Sequence, residues 1–118
     1  MRGRSVRISI VLIYDALYRM GFKAECTGFF YLSYSVYLCL LYPGIGAFAR
    51  EWIYPKAGWH YHTNVENICR QVDDAIFQAW SNSRREMEEI AGCPLEKCPN
   101  DMEIVGYLHR FVVKTYAH

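Results

Sequence analysis

The stretch Gly28 to Tyr42, which after its glycine reads "FFYLSYSVYLCLLY", limits the fold more than any other part of this chain. Apolar and aromatic side chains occur at every phase of a helical turn. No face of such a helix suits water, so the segment belongs at the centre of a domain. Its periodicity alone also admits a strand, but the run is long for one, and a helix is expected.

The flanking sequence supplies partners for a central helix. Val6, Ile10, Ile13, Leu17 and Met20 recur at steps of three and four, predicting a first helix over about 5–20 with Gly21 as its C-terminal cap. Pro43, Gly44 and Gly46 mark a break. A third helix is expected over "AFAREWIYPKAGWHYH", where Pro55 either kinks it or starts a new one. A fourth is expected over "TNVENICRQVDDAIFQAW", Thr63 to Trp80, and a short fifth over Ser83 to Ala91, ended by Gly92. After the loop "CPLEKCPN", a sixth covers Asp101 to Tyr116, with Ile104, Leu108, Phe111 and Val112 facing inward. The expected fold class is all-α, one six-helix domain spanning residues 1–118.

Composition narrows function by exclusion. With 53% hydrophobic and 21% charged residues the chain can bury a core and is no disordered tail. A net charge of +1 is low for a nucleic-acid binder, so only a local patch could serve DNA. Five scattered cysteines make no disulfide framework and fit a reducing, cytoplasmic setting. Arg2, Arg4 and Arg7 precede an apolar run too short to cross a bilayer and lacking a leader-peptide cleavage site. They form either a solvated tail or a basic arm that grips phosphate. Arg84 and Arg85 either start a solvated helix or touch a DNA backbone.

His60, His62, Cys93 and Cys98 lack the tight spacing of zinc ligands, and no metal is expected. The sequence carries no nucleophile elbow, no phosphate-cradling glycine loop and no HExxH, so no catalytic residue, cofactor or small-molecule substrate is expected. Trp52, Trp59 and Tyr61 suit a core or its rim, or stacking on a base or partner.

The fourth helix carries the functional question. Val65, Ile68, Val72, Ile76, Ala79 and Trp80 make its buried stripe. Thr63 and Glu66 have the spacing of a reciprocal capping box. Glu66, Asn67, Arg70, Gln71, Asp73, Asp74 and Gln78 lie opposite. Arg70 follows Glu66 by four and precedes Asp73 and Asp74 by three and four, which surrounds it with carboxylates. Each such pair contributes only about 0.2–0.5 kcal/mol. A bidentate arginine–guanine contact gives about 1–3 kcal/mol of discrimination.

Three runs, "GFFYLSYSVYLCLLYP", "WIYPKAGWHYHTNVENICRQVDDAIFQAW" and "NDMEIVGYLHRF", resemble the C-terminal output domain of the sporulation initiation response regulator. The resemblance covers about 13–112. It implies a helix-turn-helix over about 47–82, with Tyr54 to His60 ending the supporting helix and His62 and Thr63 in the turn. Residues 64–80 would be the recognition helix, seated in the major groove of double-stranded DNA. Arg70 stands at the family's base-reading arginine. Asn67 and Gln71 would assist from the same face, and Asn64 and Lys56 would contact phosphates. The family binds DNA often as tandem protomers, so a homodimer or tandem pair is expected.

The match departs from the family on the DNA-facing side. Cys69 stands in place of a glutamate, Asn67 of an arginine, Glu66 of a serine, and Asp73 and Asp74 of an arginine and a histidine. "GWHYH" replaces a lysine-rich segment, and no receiver domain is expected. Two functions follow. One is a sequence-specific DNA-binding transcriptional regulator. The other is a helical protein–protein interaction module that kept the fold and lost DNA binding.

Overall fold

The computed structural model describes residues 9–44 and 49–116, and every regular element among them is a helix. They are α1 (Ile10–Met20), α2 (Thr27–Leu41), α3 (Ala49–His60), α4 (Val65–Ala91) and α5 (Asp101–Tyr116). The basic residues Arg2, Arg4 and Arg7, and Val6 of the expected first stripe, lie outside the described residues.

The run apolar on all sides does take the centre. Helix α2 packs against all four other helices, and Phe29, Tyr31, Leu32, Val36, Leu38 and Cys39 are buried. Two serines enter this core with their hydroxyls satisfied. Ser33 Oγ donates to the Phe29 carbonyl at 2.7 Å and Ser35 Oγ to the Tyr31 carbonyl at 2.8 Å. Bonding back to the preceding turn removes the penalty of a buried unpaired hydroxyl. Gly28 sets how closely α2 meets α4, since a Cβ there would stand 2.3 Å from the Gln71 carbonyl oxygen.

Helix α3 runs through Pro55, whose ring is on the exposed side, so the proline neither ends the helix nor starts another. Helix α5 opens on a full capping box. Asn100 N–H donates to Glu103 Oε1 at 2.8 Å, and Glu103 N–H donates to Asn100 Oδ1 at 2.9 Å. Phe111 is half-buried, and Ile104, Leu108 and Val112 are fully inside.

The expected six helices become five among the described residues. The fourth and fifth merge into α4, 27 residues long, with one non-helical residue, Ser83 (φ −142°, ψ 43°). The bend lies where the end of α1 presses on α4. Gly21 caps α1 at φ +103°, and a Cβ on it would be 2.3 Å from Ser83 Cβ. The polar "SNSRRE" run signals the disturbance, but helical bonding resumes beyond it, and Met87 and Ala91 return to the core.

The start of α4 also shifts by one residue. Asn64 is the N-cap, its Oδ1 accepting from the Asn67 N–H at 2.8 Å. Thr63 stays in the turn, with its N–H donated to the Gly58 carbonyl at 2.8 Å and its hydroxyl accepting from Asn67 Nδ2 at 2.9 Å. The expected Thr63–Glu66 capping box is therefore replaced by Asn64–Asn67. Val65 becomes the first helical residue and is 38% exposed, outside the buried stripe. Ile68, Val72, Ala75, Ile76 and Ala79 form that stripe, with Trp80 half-buried beside it.

Candidate nucleic-acid interface

Helix α3, the turn Tyr61 to Asn64 and the first half of α4 form one outward unit. Gly58 makes the turn tight: a Cβ there would be 2.8 Å from the Thr63 carbonyl oxygen. His62 takes the left-handed conformation (φ 58°) that redirects the chain into α4. Tyr61 anchors the turn to α2, donating to the Phe30 carbonyl at 3.4 Å and packing edge-on against Tyr31 and Tyr34. Burial pushes its hydroxyl up to about 12, so it remains a donor. His60 stacks on Tyr34 at 4.5 Å.

A polar brace ties α3 to the start of α5. Tyr54, fully buried, donates to Asp101 Oδ2 at 2.8 Å, and Arg50 Nη2 reaches Asp101 Oδ1 at 2.5 Å. Asp101 is only 3% exposed. Burial first, and then the neighbouring Asp101 carboxylate, raises the Tyr54 hydroxyl far above its ordinary range, which keeps its proton in place. Helix α3 is thus fixed to the body by two donors on one carboxylate.

The outward face of α4 carries Glu66, Arg70, Asp74, Phe77 and Ser81, all exposed and spaced three or four apart. Among the described residues Arg70 forms no salt bridge. Its Nη2 instead donates to Asn67 Oδ1 at 3.1 Å. Glu66, Asp73 and Asp74 have the spacing to pair with Arg70, in pairs expected to be weak, and Asn67 takes the guanidinium. Asp73 lies on the flank of α4 nearer the brace. Desolvation raises its carboxyl pKa, Asp101 raises it further, and Arg50 opposes both. Asp74, four residues after Arg70, is exposed on the same face.

The remaining candidates divide by exposure. Asn64 and Lys56 are exposed, with Lys56 Nζ 5.2 Å from the Trp52 ring centre. Asn67 and Gln71 are half-buried, Gln71 with its carbonyl against Gly28. Trp59 is 83% exposed on the last turn of α3, whereas Trp52 and Tyr61 are half-buried. Phe77, 64% exposed, belonged to neither face in the sequence reading. Its place three residues after Asp74 and seven after Arg70 was the available signal. Arg84 is engaged within the fold: it stacks over Trp80 at 4.4 Å, pairs with Glu88 at 3.5 Å and donates to the Leu95 carbonyl. Arg85 is exposed.

Among the described residues no group of three or more His, Cys, Asp or Glu is placed to hold a metal ion, and no helix is long and apolar enough to cross a membrane. In comparison with known proteins, the family described as sporulation initiation factor Spo0A C terminal matches residues 13–110. No curated protein matches the chain significantly.

Proposed function

The chain belongs to the family of sporulation initiation factor Spo0A C-terminal domains, a family of DNA-binding regulatory domains, and from that premise we propose that it recognises specific double-stranded DNA through α4. In this reading α3, the turn and α4 act as a helix-turn-helix, and the N-terminal half of α4 enters the major groove. Arg70 reads a base, most naturally guanine through O6 and N7. Lys56 and Asn64 contact phosphates at the groove edge and set the register. Gln71, half-buried, reaches the groove only at its margin. Two protomers, as a dimer or a tandem pair, supply the affinity that one short helix lacks.

The observation that carries this reading is Arg70 itself. It is exposed on the outward face, unpaired with any carboxylate among the described residues, and held by an uncharged amide. A guanidinium so held is available to a base edge.

A second reading, a partner-protein module without DNA affinity, is favoured by Trp59 and Phe77, large apolar side chains left 83% and 64% exposed. Selection from a random duplex pool, followed by binding across a salt series, separates the two. DNA recognition predicts an enriched sequence and an affinity that falls with salt at about 0.9 log unit per phosphate contact for each log unit of salt. No enrichment and no salt dependence would leave only the interaction module.

A further inference from the structure

Asn67 stands on the same face of the sequence as Arg70, which suggests a second base contact, but its side chain is engaged elsewhere. Its amide donates from Nδ2 to Thr63 Oγ1 at 2.9 Å, while Oδ1 accepts from Arg70 Nη2 at 3.1 Å. Its own N–H is held by the N-cap, Asn64 Oδ1, at 2.8 Å. The amide plane is thus fixed at one edge by the turn and presents its acceptor to the guanidinium at the other. Asn67 is half-buried, and Thr63 is pinned through its N–H to the Gly58 carbonyl. The chain of contacts runs from the α3–α4 turn to the tip of Arg70 without a charged group.

We propose that Asn67 is a positioning residue, which orients the Arg70 guanidinium for a base edge instead of contacting DNA itself, with Thr63 as its anchor. This rests on the reading that Arg70 contacts a base. An arginine without a fixed neighbour must lose its rotamer freedom at the moment of binding. Here the turn has removed part of that freedom beforehand. A neutral amide suits the task better than a carboxylate, since a close ion pair would have to be broken or shared before the guanidinium could bind bidentately. Asn67 takes one of the five N–H donors of the fork, and the other four are enough for a bidentate contact with the base.

The test compares affinity for the duplex enriched by the intact protein with affinity for duplexes changed at single guanines. The readout is the ratio between them, measured with the melting temperature and the salt slope. Asn67→Ala is expected to reduce the discrimination that Arg70 provides by about 2- to 10-fold, the worth of one immobilised side chain, with the salt slope unchanged. Thr63→Val should give a smaller loss in the same direction, and Thr63→Ser, which keeps the hydroxyl, should restore it. A purely structural cap would lower stability and weaken all duplexes alike, leaving the ratio intact. That result overturns the proposal, and Thr63→Val decides it if Asn67→Ala does not fold. If Arg70→Ala leaves the ratio unchanged, the underlying base contact fails. If Arg70→Ala abolishes it while Asn67→Ala and Thr63→Val do not, only the positioning role fails.

Discussion

Asp101 is the residue on which the placement of α3 depends. Its carboxylate takes the Tyr54 hydroxyl at 2.8 Å and the Arg50 guanidinium at 2.5 Å in a site only 3% exposed. Asp101→Ala leaves the buried Tyr54 hydroxyl without an acceptor, and Tyr54→Phe leaves the buried Asp101 Oδ2 without its donor, so each should cost about 1–3 kcal/mol in urea denaturation. No loss from Tyr54→Phe would mean that the brace does not work through this hydrogen bond. Asp73 gives a prediction in pH. Its carboxyl is raised above its ordinary 3.8, by desolvation first and Asp101 second, so ionisation disfavours the folded state. Asp73→Asn should therefore raise the melting temperature at pH 7, and the gain should shrink as the pH falls through the raised value and vanish below the unfolded one. A gain that persists at pH 3 would contradict this. At this scale the sequence places Arg70 well, because helical spacing alone puts it on the outer face. It does not reveal that an amide holds the guanidinium while three nearby carboxylates do not. That choice depends on side-chain rotamers, which spacing leaves open.

Two glycines test the packing of the helices. At Gly28 a Cβ would stand 2.3 Å from the Gln71 carbonyl and 2.8 Å from Ala75 Cβ. Gly28→Ala should destabilise by about 1–3 kcal/mol, because backbone on α4 must yield. At Gly106, inside α5, a Cβ would meet nothing within 4 Å. Gly106→Ala should stabilise by up to about 1 kcal/mol, the helix-propensity difference. Thermal or urea unfolding of both variants checks the pair, and a Gly28→Ala variant as stable as the intact protein would refute the packing of α2 on α4. The elements were readable to differing degrees. Asn100 and Glu103 lie in a run that carries the family resemblance, where no capping box was expected, and the structure forms one with both bonds. At the start of α4 the sequence pointed to Thr63 as the cap, and the structure uses Asn64. The choice fell to Asn64 because the Gly58 carbonyl draws Thr63 into the turn, a tertiary influence that local pattern does not carry. The break at Ser83 was legible, but its consequence, a bend instead of two helices, depends on where Gly21 of α1 presses.

Across the whole molecule, the central place of α2 follows from its lack of any polar face, and the other helices follow as its cover. Net charge does not mark a DNA-binding surface, since a total of +1 hides where the charges sit. If Lys56 contacts a phosphate, Lys56→Gln should reduce the salt slope of DNA binding by about 0.9 while leaving discrimination between sequences unchanged. A change in sequence preference without a change in slope would move Lys56 from the backbone to the bases.

The central claim is that Arg70 on α4 reads a base, and an atom exchange on the DNA tests it most directly. In the duplex enriched by the intact protein, each guanine is replaced in turn by 7-deazaguanine, which removes the N7 acceptor and little else. The account predicts that one such replacement weakens binding by about 1 kcal/mol or more in the intact protein, and that the same replacement has no further effect on Arg70→Ala, because the lost partner is the same. Additive losses from the replacement and the substitution, at every guanine, would contradict it.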